Sequence, residues 1–462
     1  MEPVSKVETT LATPAPEART VRAAGGPARL WGLLRGNAHL SLLTSASSLI
    51  GTTAITSILG FAYWWLAARQ FPAQAVGLAS ASISAMLLLG TLGALGFGTL
   101  LIRELPGRRD QAFPFVLAAL TVTAGAGAIL GGAFASIVPL FSAEFAPLSA
   151  SPWATILFAI GVGLTSATIV LDQALLGILR GGKQFWRNAL FAATKLLALA
   201  AIGFWSPNRQ ALAIYATWTL GNALSLVWVT LGTRSAQRNW RAYVPRVRVL
   251  WSFRRAALGH HLLNLALQGT SFATPLIVTA VVSATANAYF YAAWTMAGFV
   301  YAGPMALAVS LYAVGSHAPE ALAQRMRFTF GLAILGGIAA NVVVFFATVP
   351  LLRLFGADYA VNAGTALRLL GLGVFPIIVK DNYVTLRRIE GRVRGAAGLV
   401  AIGGLLELGC AAIGALIGGV QGVALGLLIG LCLEALLFIP TLYRSLRLRQ
   451  PTEAKTLERV MP

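Results

Sequence analysis

The chain has 462 residues, of which 57% are hydrophobic and 11% are charged, and its formal net charge is +20. Soluble globular domains carry about 25% charged residues, so this composition excludes a soluble enzyme, a disordered chain and a secreted disulfide scaffold. A transmembrane helix needs about 20 mainly apolar residues, which leaves room for about a dozen spans joined by short loops. We therefore predict an all-α polytopic membrane protein.

Twelve apolar runs follow one another along the chain, and we predict that each is a transmembrane helix. They group into an N-terminal lobe (39–233) and a C-terminal lobe (258–445), which are separated by a basic cytoplasmic segment (234–257). Residues 1–38 and 446–462 are predicted to be cytoplasmic tails, the first of them flexible. An even number of helices per lobe is typical of parallel repeats about an axis along the membrane normal. The predicted helices lie at 40–68, 76–102, 112–141, 153–180, 189–205, 211–233, 258–282, 288–315, 328–352, 363–386, 395–417 and 419–443.

The distribution of basic residues supports this topology. Lys and Arg collect in cytoplasmic loops, and most of the 35 Lys and Arg residues fall on the side of the two termini when the spans alternate. We therefore assign the net charge to cytoplasmic anchoring and expect no nucleic-acid partner. Arginine far outnumbers lysine, and alanine and glycine are abundant, which is typical of a GC-rich bacterial genome. We expect a protein of the bacterial cytoplasmic membrane with both termini inside.

The sequence contains no pattern typical of an enzyme or a metal site. There is no phosphate-binding glycine loop with its lysine, no His-Glu-x-x-His and no paired-cysteine spacing. Cys410 and Cys432 both fall within apolar runs, where cysteine is usually a small buried hydrophobic residue. We expect no enzymatic activity, no cofactor and no bound metal.

Four charged residues inside the predicted helices are informative because a charge in hydrocarbon is costly. Asp172 and Lys195 lie at similar depth on the fourth and fifth helices, and we expect them to form a structural ion pair; the alternative is a proton or substrate site. Glu407 and Glu434 lie on the last two helices. Two nearby carboxylates at membrane depth favour protonation of at least one, as a proton-coupled carrier requires. The alternatives are a neutral hydrogen-bonded acid or one that faces a basic neighbour.

Polar residues on the seventh helix form a stripe. His261, Asn264 and Gln268 are spaced three and four residues apart, so they share one helix face. In a membrane this face must turn inward or line water, and we expect it to border a substrate cavity; the alternative is hydrogen bonding between helices. Arg368, in the outer half of the tenth helix, is a candidate cavity cation or a side chain that extends outward. Lys380 is expected at the membrane interface.

Four segments of the chain resemble the polysaccharide-biosynthesis flippases. Residues 67–78 (AARQFPAQAVGL) are similar to the link between the first two helices of that family, and residues 96–106 (GFGTLLIRELP) to the end of its second helix. Residues 354–359 (LFGADY) resemble the loop before its tenth helix, and residues 419–426 (GVQGVALG) the turn into its last helix. The order and spacing of the segments carry this resemblance over most of residues 30–445.

The resemblance implies the multidrug/oligosaccharidyl-lipid/polysaccharide exporter superfamily, and within it the O-antigen-type flippases of lipid-linked oligosaccharides. It implies two six-helix lobes arranged as a V around a central cavity. The implied function is to flip a polyprenyl-pyrophosphate-linked oligosaccharide from the inner to the outer leaflet by alternating access, with membrane lipids and a glycan polymerase or glycosyltransferases as partners. The alternatives are a proton- or sodium-coupled multidrug/cation antiporter, a major-facilitator carrier, and a non-transporting scaffold of a glycan-synthesis complex.

Overall fold

The computed structural model describes most of the predicted membrane region. Within the described residues the regular structure is entirely helical. Four parts of the sequence lie outside the described residues. They are the predicted tail 1–38, the start of the first predicted helix, most of the segment 234–257 and most of the tail 446–462. The described ranges are 55–107, 112–205, 210–234, 254–315 and 322–448.

The first half of the chain contains seven described helices. The second predicted span is divided into two helices by Leu95 and Gly96, whose φ angles are positive at 51° and 73°. Glycine adopts this left-handed conformation without the steric cost of a side chain, so Gly96 allows the bend. Ser151 caps the fourth predicted span by accepting a hydrogen bond from the Ala154 amide at 3.2 Å. The helices are α1 (55–70), α2 (Ala73–Gly93), α3 (Phe97–Glu104), α4 (Ala112–Ile137), α5 (Pro152–Gly177), α6 (Gly181–Trp205) and α7 (Ala211–Arg234).

The second half contains six described helices. The tenth predicted span is divided into two helices that meet at Gly373. The last helix is bent where Gly418 and Gly419 leave helical geometry, so it consists of two arms. The helices are α8 (Arg254–Val281), α9 (Ala284–Gly315), α10 (Leu322–Arg353), α11 (Ala357–Leu372), α12 (Val374–Ile389) and α13 (Val393–Leu448).

Nine stretches of the described residues are long and apolar enough to cross a membrane, judged by length and composition. One of them, Gly395–Ser445, contains 51 residues and includes both arms of α13. The polar residues of α8 lower its mean hydropathy, and α1 is described over only part of its predicted length. These three features explain why nine stretches are found where the sequence predicts twelve spans.

The two halves of the chain pack together along α2. This helix contacts α4, α5 and α7 of its own half, and α8 and α9 of the second half. A Cβ atom at Gly77 of α2 would lie only 1.6 Å from the carbonyl oxygen of Ala284 in α9. Because no side chain fits there, glycine permits this close approach of the two helices. The largest cluster of buried apolar residues includes members of both halves.

Candidate functional site

The ends of four helices from the two halves are joined by polar contacts to main-chain carbonyl groups. Arg69, at the end of α1, donates from Nε to the carbonyl oxygen of Leu354 at 2.7 Å. Asn287 of α9 donates from Nδ2 to the carbonyl oxygen of Gly77 at 2.8 Å and lies 3.0 Å from Ser80 Oγ. We call this region, defined by Arg69, Gly77, Asn287 and Leu354, the closed end. Arg69 and Leu354 belong to the segments with family resemblance, although the sequence did not indicate that they meet.

Aromatic side chains continue the contact between the halves. The ring centroids of Trp64 in α1 and Tyr291 in α9 are 4.7 Å apart. Phe61, one turn earlier on α1, lies 6.1 Å from Phe299 and 5.7 Å from Phe355 between ring centroids. The two halves are thus sealed by rings as well as by hydrogen bonds.

Lys195 lies in a buried aromatic environment. Lys195 is only 4% exposed, and its Nζ atom lies 3.5 Å from the ring centroid of Trp218. The rings of Phe191 and Tyr63 are 4.8 Å and 5.0 Å from the same atom. A cation over an aromatic face is stabilised by the ring quadrupole. We call these four residues, contributed by α1, α6 and α7, the lysine cage; within the described residues no carboxylate pairs with Lys195.

The predicted ion pair between Asp172 and Lys195 is wrong, because Arg187 binds Asp172 instead. Arg187 donates from Nε to Oδ1 at 2.7 Å and from Nη2 to Oδ2 at 2.6 Å. Asn188 donates to the same carboxylate at 3.2 Å, and Arg187 Nη1 lies 3.4 Å from Ser225 Oγ. The planar guanidinium matches both carboxylate oxygens at once, which a lysine ammonium does not. The sequence analysis missed Arg187 because it lies near the turn between α5 and α6.

The two buried glutamates of the second half share one lysine. Lys380 Nζ of α12 lies 2.9 Å from Glu407 Oε1 and 2.8 Å from Glu434 Oε2. The glutamates belong to different arms of α13, and their side chains are 6% and 1% exposed. Lys380, which the sequence places at the membrane interface, has a side chain that is only 14% exposed because it lies between the two glutamates. We call these three residues the Lys380 triad.

The polar stripe of α8 lies partly at the junction of the two halves. Asn264 Nδ2 donates to Thr99 Oγ1 of α3 at 3.3 Å, so this residue faces the first half. His261 is buried, whereas Gln268 is exposed. The stripe therefore provides one contact between helices, through Asn264, and one exposed amide group, that of Gln268.

Arg368 and an apolar cavity between α1, α9 and α10 lie apart from the α8 stripe. Arg368 is exposed on α11, and its guanidinium carbon lies 5.2 Å from the ring centroid of Phe345; the described structure records no contact between it and the α8 stripe. A cavity of about 550 Å³ opens between α1, α9 and α10. None of the predicted site residues lines it, and its lining is apolar: Phe61, Met296, Phe299, Val300, Ala340, Val343, Val344, Leu351 and Leu354.

Comparison with known proteins identifies the fold. No family model and no curated protein matches the chain. A solved structure does: the inward-facing conformation of a multidrug resistance MATE family transporter of the MOP superfamily. It is 17% identical with a TM-score of 0.65, and the match covers 87% of this chain and 99% of that chain. The protein has the fold of these transporters.

Two other solved structures extend this likeness. A MOP superfamily transporter from Pyrococcus furiosus Vc1 (DSM3638), in which reverse polarity of the binding pocket suggests a different function, is 15% identical with a TM-score of 0.60. An outward-facing MATE family transporter is 15% identical with a TM-score of 0.57. Both matches cover 90% of this chain and 98% of the other chain. At these identities the likeness concerns the fold, and it extends over nearly the whole length of the transporters.

Proposed function

We propose that the protein is a transporter that flips a polyprenyl-pyrophosphate-linked oligosaccharide from the inner to the outer leaflet of a bacterial cytoplasmic membrane. Movement would occur by alternating access between two lobes of six helices, with α2–α3, α11–α12 and each arm of α13 counted as one span apiece. The MATE fold and the nine apolar stretches support a multi-pass membrane transporter. The four segments that resemble polysaccharide flippases support the substrate class.

The buried charges of the first half carry this proposal. Asp172 lies against Arg187, so this acid is not available to a cationic substrate. Lys195 is buried and has no carboxylate partner within the described residues. A buried charge without a counterion is unfavourable, and a pyrophosphate would supply the missing negative charge. This arrangement favours an anionic substrate over the organic cation of a multidrug antiporter.

The lysine cage is connected to the junction of the halves by two further rings. Trp218 of the cage lies 6.3 Å from Trp64, which lies 4.7 Å from Tyr291 of the second half. The aromatic layer next to Lys195 therefore extends to the contact between the two halves. Aromatic faces are suitable surfaces for sugar rings, and the ammonium donates hydrogen bonds to phosphate oxygens.

We propose that both termini are cytoplasmic and that the structure represents an inward-open state. In that topology the closed end faces the outside, and Arg69 and Asn287 hold it shut. The higher TM-score with the inward-facing transporter than with the outward-facing one, 0.65 against 0.57, supports this assignment. Transport would require the carbonyl contacts of Arg69 and Asn287 to break.

The proposal is tested in a strain that lacks the gene. The wild-type protein should restore surface glycan, whereas Lys195→Gln should leave lipid-linked precursor on the inner leaflet. Lys195→Arg keeps the charge and should retain part of the activity. Lys183→Gln, at the start of α6, is the matched control and should behave as wild type. Normal surface glycans in the deletion strain, together with proton-driven export of organic cations by the purified protein, would favour the antiporter instead.

The same strain separates the transporter from a non-transporting scaffold. Glycosyltransferases or a glycan polymerase would be its expected partners, because they make and consume the lipid-linked glycan. If the protein is a scaffold, Lys195→Gln at normal membrane abundance should restore surface glycan in the deletion strain. If it is a transporter, the same variant should not restore surface glycan.

A further inference from the structure

The apolar cavity between α1, α9 and α10 lies where the two halves of the chain meet, next to the closed end. Its volume is about 550 Å³, which is within the range of about 300–1,000 Å³ that is usual for ligand sites. Phe61 comes from the first half, and every other lining residue comes from the second half. Because the lining contains no charged or polar side chain, this wall suits a hydrocarbon chain.

The mouth of the cavity is formed by apolar side chains that are accessible from outside the protein. Val343 of α10, Phe299 of α9 and Leu354 line the cavity and are all exposed. The helix α10 is long and apolar enough to cross a membrane, so accessible apolar side chains along it face lipid. The cavity therefore opens toward the bilayer, where lipid chains have access to it.

Two arginines lie at one end of this cavity. Arg69 donates from Nε to the carbonyl oxygen of Leu354 at 2.7 Å and from Nη2 to that of Arg353 at 3.0 Å. Both arginines are exposed, and the described residues give neither guanidinium a carboxylate partner. A guanidinium has five N–H donors, so each arginine keeps donors for a further acceptor. Like charges repel, and an anion beside both arginines would offset that repulsion.

The position of these arginines in the membrane points to the kind of anion. The predicted topology places Arg69 and Arg353 on the outer side, whereas Lys and Arg usually collect on the cytoplasmic side. Arg353 is the last residue of α10, so it lies where a membrane helix reaches the lipid headgroups. Guanidinium groups bind phosphate oxygens through charge-assisted hydrogen bonds, and phospholipid phosphates lie at this level.

We propose that the cavity and the two arginines form a binding site for an anionic phospholipid. One acyl chain enters the cavity between α1, α9 and α10, and the phosphate contacts Arg69 and Arg353. The apolar lining favours a lipid over a free phosphate, because only the lipid fills the cavity. The unpaired guanidinium groups favour an anionic lipid over a neutral one.

The bound lipid connects the two halves at the closed end. Its chain contacts Phe61 of the first half and residues such as Met296 and Val344 of the second half, beside the carbonyl contacts of Arg69. A ligand that binds one conformation better than another shifts the population toward that conformation, so the lipid stabilises the closed end. The binding site does not depend on the transported substrate, whereas its effect on the closed end rests on the proposed alternating access.

Native mass spectrometry of the purified full-length protein tests the headgroup contacts. The wild type should retain one molecule of phosphatidylglycerol more tightly than phosphatidylcholine with the same acyl chains. Arg353→Gln should weaken binding of phosphatidylglycerol about tenfold, because it removes hydrogen bonds to a charged group. Arg103→Gln, an exposed position at the other end of the membrane region, is the matched control and should bind as the wild type does.

A second pair of variants tests the chain contacts. Ala340→Phe puts a ring into the cavity and should weaken binding of phosphatidylglycerol, whereas Ala339→Phe, at the exposed neighbouring position outside the lining, should not. Elution as a single folded species on gel filtration shows that each variant is intact. Wild-type binding by both Arg353→Gln and Ala340→Phe would overturn the site. Displacement of the lipid by glycerol phosphate would overturn it in favour of a plain anion site.

Spin labels at Gln74 and Val361 test the effect on the closed end. Phosphatidylglycerol should increase the population with the shorter distance relative to phosphatidylcholine, and Arg353→Gln should remove this difference. Equal distance distributions in the two lipids would contradict the stabilising effect, whereas mass spectrometry still decides the binding site. Binding of phosphatidylglycerol by a protein that flips no lipid-linked saccharide would support this site and contradict the proposed function.

Discussion

Arg187 holds Asp172 in a bidentate ion pair, with Nε 2.7 Å from Oδ1 and Nη2 2.6 Å from Oδ2. This pair connects α5 with α6 and accounts for Asp172. Lys195 remains a buried cation, held among aromatic rings, for which the described residues provide no acid.

The first prediction concerns this ion pair. Asp172→Asn and Arg187→Gln should each lower the thermal stability of the purified protein. Removing one partner of a buried pair costs about 3–5 kcal/mol, and we expect less here because the Asp172 side chain is 19% exposed. The double variant should be less destabilised than the sum of the single variants. The control is the double variant Asp172→Asn with Lys195→Gln. Its change in the free energy of unfolding should equal the sum of the changes in the two single variants within about 0.5 kcal/mol. Strong coupling between these two residues would contradict the pairing of Asp172 with Arg187.

The second prediction concerns the lysine cage. Trp218→Leu removes the closest ring and should weaken binding of the lipid-linked saccharide, because the cation–π contact contributes about 0.5–2 kcal/mol to the position of the ammonium. Trp218→Phe keeps an aromatic face and should retain most of the affinity. Trp186→Leu, at a position that is 62% exposed, is the control. Equal binding by all three variants, measured on the purified protein, would show that the cage is not part of the site.

The third prediction concerns the closed end. Gly77→Ala places a methyl group where Ala284 O would be 1.6 Å away, so α2 and α9 must separate and the outward-open state should become more populated. Gly60→Ala, at a position with no atom within 4 Å of the added Cβ, should have no such effect. Spin labels at Gln74 and Val361, in a protein without native cysteines, should report a longer distance in Gly77→Ala. An unchanged distance would contradict the gate.

The fourth prediction concerns the polar stripe of α8. Gln268→Ala should slow flipping, since a hydrogen bond to a charged group contributes about 1.5–3 kcal/mol and this amide is exposed to a substrate. Asn264→Ala removes the contact with Thr99 and should slow flipping less. Leu262→Ala, at a position that is 54% exposed, is the control. Membrane abundance should stay near wild type in all three, and wild-type flipping by Gln268→Ala would exclude the stripe from the path.

The helical class and the approximate helix positions could be predicted because continuous apolar runs leave few other structures in a membrane. The sequence could not predict the bends at Leu95–Gly96 and at Gly418–Gly419. Glycine is frequent throughout this chain, so individual glycines that bend a helix cannot be told from those that allow close packing.

The side-chain partners were the least predictable feature of the candidate site. Matching Asp172 with Lys195 by depth ignored the rotation of α6 about its axis and the length of an arginine side chain, which allow Arg187 to reach Asp172 from nearer the turn. The arginines that follow Lys380 in the sequence predict a position at the membrane interface, and they do not indicate the burial of its side chain. Its burial depends on Glu407 and Glu434, and only the packing of α12 against both arms of α13 brings them together.

The charge of the substrate is the central claim, and reconstituted transport tests it most directly. Purified protein in liposomes should move a fluorescent polyprenyl-pyrophosphate-linked saccharide between leaflets, and Lys195→Gln should abolish this movement while Lys183→Gln leaves it unchanged. Organic cations should not be transported against a proton gradient under the same conditions. Proton-driven cation transport without any movement of the anionic lipid would contradict the account.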